Sequence, residues 1–194
     1  MSSDYHKEDL TVDLTWANIF GFIVLIPSIL FFGLPFYLIW KGQLANGIIF
    51  NTVQNISGHN PLLTSLITIL LLLFGVILHE LIHGVFFAFY AEEKFKSIKF
   101  GITRNWLSLY CHCKEPVKVY QYITSGLMPA IILGFIPSIL SLFIGDTILL
   151  SFGICLIAAA SGDFLISYKL RKEKFDDYVQ DHPEKAGCYI FRKK

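Results

Sequence analysis

The sequence predicts an all-α integral membrane protein of about four transmembrane helices, with a small cytoplasmic β-hairpin between the second and third. Three observations lead there. Of 194 residues, 54% are hydrophobic and only 16% charged. Four stretches, 18–40, 62–90, 122–144 and 147–168, contain no charged side chain except Glu80 and Asp163. Each supplies the roughly 20 apolar residues that a hydrocarbon core about 30 Å thick requires. Finally, the basic residues are unevenly distributed: of 16 Lys and Arg, one lies in the leader, one between the first two spans, six between residues 91 and 121, and eight from Lys169 onward. The positive-inside rule then places both termini and the central segment in the cytoplasm of a multi-pass cell-membrane protein. Little chain remains for a soluble domain, so residues 1–194 read as a single membrane-embedded unit.

The leader "MSSDYHKEDLTVDLTW" is acidic, and the apolar run after it is too long for a cleaved signal. The first span should therefore persist as a helix. Spans one and three share "IPSIL", at 26–30 and 136–140, each with a second proline eight residues from the first, Pro35 and Pro129. This is a possible internal repeat; the prolines predict kinks, which neighbouring groups can satisfy inside a bundle. Between spans two and three, "KSIKFGI" and "LSLYCHCKEPVKV" alternate around "TRNW", predicting a β-hairpin over about 96–119. Its register puts Cys111 and Cys113 on one face and His112 on the other. Gly162 and the small residues 158–161 should let span four approach span two. The tail, 169–194, is basic and faces anionic headgroups. Four cysteines, in cytoplasmic or membrane segments, point to free thiols.

Span two carries the chemistry, in "GVILHELIHGVF". Residues four apart share a helix face, so His79 and His83 offer two imidazoles to one point. Glu80, about 100° round the helix, is an awkward third ligand but well placed as a base. His-Glu-x-x-His on a helix is the signature of zinc metallopeptidases. Ionisable groups cost several kcal/mol inside a membrane, and a divalent cation compensates them. A catalytic zinc takes three protein ligands. Asp163 is the only charged residue of the fourth span, and no Lys or Arg within the spans can pair with it. It lies five residues before the end of its span and His83 seven before the end of its own, so both sit roughly 8–10 Å below the cytoplasmic surface. His112 is an alternative ligand or outer contact. Cys111 and Cys113 read as structural. Asp181, His182 and Cys188 either fold back toward the metal or, as "DHP" favours, begin a turn. His6 and His59 are ordinary solvated residues.

Through "HELIHG", "CHCKEP", "SGD" and "DHPEKAGCY", the chain resembles the zincin peptidases of bacterial membranes, similar in pattern to site-2 proteases. The resemblance runs from the second span to the C-terminus. It implies His79, His83 and Asp163 as ligands of one Zn2+ per chain and Glu80 as the base. Site-2 proteases typically carry Asp followed by Gly after an Asn-Pro stretch. Here Gly precedes Asp163 and that asparagine is missing, so substrate-positioning residues do not transfer.

The expected function is an intramembrane zinc metalloprotease that cuts a membrane protein or peptide near the cytoplasmic face. An exposed hairpin edge is a candidate to hold the substrate as an added strand. The alternative is a zinc-binding membrane scaffold or chaperone that does not cut; such a protein needs the ligands but not Glu80. A metal-ion transporter would need polar groups in the outer half of the spans, and these are apolar. No basic patch with interleaved aromatics points to nucleic acid.

Overall fold

The computed structural model describes residues 5–41, 47–102, 109–183 and 185–193. A leading strand, β1 (Tyr5–Thr11), precedes the first apolar helix, α1 (Leu14–Ile39). Asp13 starts that helix, its carboxylate accepting from the Trp16 N–H at 2.9 Å. A short helix α2 (Ile48–Ile56) leads to α3 (Pro61–Tyr90), where Asn60 Oδ1 accepts from the Leu62 N–H and Pro61 occupies the first turn. A hairpin follows, β2 (Ile98–Ile102) with β3 (Leu109–Cys113), then β4 (Val117–Lys118) and α4 (Val119–Ile144). The hairpin register pairs Lys99 with His112 and Phe100 with Cys111. Its "TRNW" turn lies outside the described residues.

The fourth apolar run is two helices, α5 (Thr147–Ala159) and α6 (Ser161–Leu170), interrupted at Ala160, where ψ of 10° leaves the helical region. Among the described residues, three helices are long and apolar enough to cross a membrane, four if this pair counts as one span. The interruption puts Asp163 in the first turn of α6.

The all-α expectation is corrected by a four-stranded antiparallel sheet, ordered β1-β6-β5-β4, where β5 is Tyr178–Asp181 and β6 is Gly187–Lys193. The leader "YHKEDLT" lacks the apolar alternation of a half-buried strand because most of it is exposed. It is held instead by pairing along its full length with β6 and by the Lys7 ammonium, 3.3 Å from the centre of the Tyr189 ring. "DHP" does begin the connection between β5 and β6.

The described chain divides into two compact units. One comprises residues 1–20, 79–129 and 160–194 and holds both sheets. Its core gathers Phe87, Val117, Val119, Leu170, Val179 and Ile190 with Cys113 and Cys188, so β3, β4, β5, β6 and the ends of three helices share one apolar centre. All four cysteines are free thiols.

The other unit comprises residues 21–78 and 130–159. Here α5 lies against the later part of α4. A Cβ on Gly153 would come within 2.8 Å of the Ser138 backbone nitrogen, so only glycine permits the approach. Gly162 was expected to provide such a contact, yet a Cβ there would meet nothing within 4 Å. The prolines of the suspected repeat flank π-helical turns: Pro27 and Pro35 bracket Ile29–Gly33, and Pro129 and Pro137 bracket Ala130–Phe135. The first proline of one helix thus matches the first of the other. By that alignment the two "IPSIL" segments occupy different places, one entering a π-turn and the other leaving it.

Candidate metal centre

Three elements of the first unit converge on the polar residues of α3. His79 and His83 are buried, only 6% and 7% exposed, and Glu80 beside them is half-buried. The two Nε2 atoms lie 3.2 Å apart. Asp163, carried in by α6, places Oδ2 3.2 Å from His79 Nε2 and Oδ1 3.4 Å from His83 Nε2. A carboxylate in the first turn of a helix is favoured by the helix dipole, so the break at Ala160 both aims Asp163 and stabilises its charge.

The His83 tautomer has a cause in the sequence. Its Nδ1 lies 2.9 Å from the Ser125 carbonyl oxygen and donates to it. In an α-helix that carbonyl would accept from the N–H four residues on. That residue is Pro129, which has none. The proline frees the acceptor, the acceptor takes the Nδ1 proton, and Nε2 is left as a lone pair facing the cluster.

These donors suit zinc. With zinc–nitrogen and zinc–oxygen bonds near 2.0–2.1 Å, ligands at the corners of a tetrahedron stand about 3.3 Å apart. The three separations of 3.2 to 3.4 Å bracket that value. Lone pairs and a carboxylate so close in a buried site repel unless a proton or a metal cation lies among them. The ligand atoms of His79, Glu80 and His83 also fall within 4.8 Å of one another, the one such metal-competent group among the described residues. His79 Nδ1 and Ser125 Oγ are buried without a protein partner there, so the centre keeps unused polar capacity.

A family model described as "Putative zincin peptidase" matches residues 72–178. The chain belongs to this zincin peptidase family. The matched segment contains the His-Glu-x-x-His run and Asp163, and membership supports metallopeptidase chemistry and zinc. No curated protein and no solved structure matches the chain.

Two groups of residues around the zincin centre were weighed as ligands and are engaged elsewhere. Asp181 accepts from the Cys113 N–H at 2.7 Å and from the Tyr122 hydroxyl at 2.5 Å, and His112 Nδ1 stands 4.0 Å from it. His182 Nε2 is 3.1 Å from the Tyr189 hydroxyl, and its Nδ1 accepts from the Lys185 N–H. Burial pushes the Cys113 and Cys188 thiols up to about 12, and the Cys111 thiol higher still.

The hairpin sits directly on the zincin helix. A Cβ on Gly84, next to His83, would run into the Phe100 ring of β2, so this glycine admits the strand. From β3, the Cys111 backbone N–H is turned toward the Glu80 carboxylate. Sequence reasoning missed the Ser125 carbonyl and the anchoring role of Asp181. The first had a signal, a proline four residues after a carbonyl on a polar helix face. The second is a long-range pairing without one.

Proposed function

We propose that this protein is an intramembrane zinc metallopeptidase of the His-Glu-x-x-His, site-2-protease-like type, hydrolysing a peptide bond of a membrane-associated protein near the cytoplasmic face. The observation that carries it is the meeting of His79 Nε2, His83 Nε2 and the Asp163 carboxylate at 3.2 to 3.4 Å, with Glu80 alongside. His79, His83 and Asp163 hold one zinc per chain. Bound there, zinc supplies Lewis-acid chemistry, polarising a carbonyl and acidifying water toward neutral pH. Glu80 removes a proton from the attacking water as its oxygen adds to the peptide carbon. It then delivers that proton to the amine nitrogen as the C–N bond breaks. The Cys111 N–H orients the Glu80 carboxylate for both transfers.

Strand pairing supports a common side for leader, central segment and tail: β1 and β6 lie side by side with Tyr5 opposite Lys193, and β4 belongs to the same sheet. Four spans, with α5 and α6 counted as one, fit that arrangement by giving an even number of crossings before and after the centre. The basic residues of the central segment and tail favour the cytoplasm as the shared side. For substrate, the outer edge of β3 is already engaged by carboxylates. The edge of β2 has no strand neighbour among the described residues, and Phe100 and Ile102 are exposed along it. An extended segment adds there.

The test compares new protein N-termini in membranes of cells expressing wild type or Glu80→Gln. Cleavage should fall about 10²- to 10⁴-fold in the variant while bound zinc is retained. Identical N-termini in both would favour the scaffold reading, in which Glu80 is dispensable.

A further inference from the structure

Asp181 is a buried carboxylate outside the metal cluster, on the strand β5 that follows the membrane-embedded part of the chain. Its two contacts lead to the two elements that touch the centre. Oδ2 accepts from the Cys113 N–H of β3, and Oδ1 from the Tyr122 hydroxyl of α4. Along a strand, N–H groups two residues apart point to the same edge. The edge of β3 that gives its Cys113 N–H to Asp181 therefore turns its Cys111 N–H toward Glu80. One residue further along the helical face of α4, Ser125 stands three positions from Tyr122, and its carbonyl holds His83 Nδ1.

We propose that Asp181 is a positioning residue for the metal centre: it fixes β3 so that the Cys111 N–H meets Glu80, and fixes the start of α4 so that the Ser125 carbonyl meets His83. The tail strand thereby becomes part of the centre's construction without reaching the metal. The inference rests on the zinc-centre reading above. It acts one step beyond the groups that touch a ligand directly, such as the Ser125 carbonyl, whose loss typically lowers metal affinity 10- to 100-fold. Asp181 suits the task because it is buried and ionisable with few options. Burial raises its carboxyl above the usual range, while the Tyr122 hydroxyl and the Cys113 N–H favour its charged form.

The test uses full-length protein in detergent micelles, labelled with ¹⁵N at its four cysteines and loaded with zinc. Glu80→Ala identifies the position of the Cys111 amide signal when the carboxylate is removed. Asp181→Leu, which removes both acceptor oxygens at similar side-chain size, should move the Cys111 signal toward that position as well as moving Cys113. It should also weaken zinc binding by up to about 10-fold against a competing chelator. Tyr122→Phe releases only the α4 arm, and should weaken zinc binding while leaving Cys111 in place. If Asp181→Leu fails to fold, Tyr122→Phe decides alone, and unchanged zinc affinity there overturns the proposal. A wild-type Cys111 signal or wild-type zinc affinity in folded Asp181→Leu likewise overturns it. Absence of zinc from the wild type is the separate failure of the centre itself, and absence of cleavage leaves both readouts intact.

Discussion

Pro129 illustrates how one residue sets the chemistry of another. It contributes no atom to the centre, yet its missing N–H leaves the Ser125 carbonyl free for His83. Pro129→Ala restores a competing helical donor. Zinc affinity measured by chelator competition should fall roughly 10-fold, the low end for an outer contact. The helix should otherwise form, since alanine is the better helix former. Unchanged affinity would mean that His83 keeps its orientation without that carbonyl. The histidine pair and Asp163 were legible in the sequence because ionisable groups stand out in apolar spans. Ser125 left only an indirect mark, the proline four residues later, because its working group is backbone.

At the scale of elements, Asp146 joins two helices. Its carboxylate accepts from the Ile49 N–H at the start of α2 and from the Leu149 N–H at the start of α5, at 2.5 and 3.0 Å. Gly47, at φ of 120°, brings the α2 start so close that a Cβ would lie 2.4 Å from the Asp146 Cα. Asp146→Ala removes both caps at once, each commonly contributing about 1 to 2 kcal/mol. Thermal unfolding in detergent should show a loss of about 2 to 4 kcal/mol, while zinc binding persists because Asp146 belongs to the other unit. The sequence announced the long helices through their uninterrupted apolar runs. It gave only a faint sign of the break at Ala160, the Ser161-Gly162 pair that follows it inside an apolar run, and it hid β1, whose exposed residues show no alternation. The hairpin β2–β3 was readable because one face meets the core and the other does not.

For the molecule as a whole, the sheet that ties the two ends together depends on acidic side chains. Arg192 donates to Glu173 at 2.7 and 2.8 Å and also contacts Glu8, so it links β6 to the segment after α6 and to β1. Arg192 holds the Glu173 carboxyl below its usual range, and a hydrogen bond from Ser97 does the same for Glu115. Each binds its proton more weakly folded than unfolded. Their stabilisation is complete above the unfolded value of 4.5 and fades as pH falls through the lower folded values. Protection of the β6 amides, taken relative to the intrinsic exchange rate at each pH, should therefore fall as pH drops below 4.5, and Arg192→Met should flatten that dependence by removing the Glu173 contribution. If α3, α4, α6 and the hairpin assemble a zinc centre, the metal bound per chain depends on its ligands and not on its base. Metal content is measured in wild type, His79→Ala, Asp163→Ala and Glu80→Gln, purified without chelators. One zinc is expected in the wild type and in Glu80→Gln, and none in the other two. Zinc retained by Asp163→Ala, or absent from a wild type that also refuses reloading, would overturn the zinc centre.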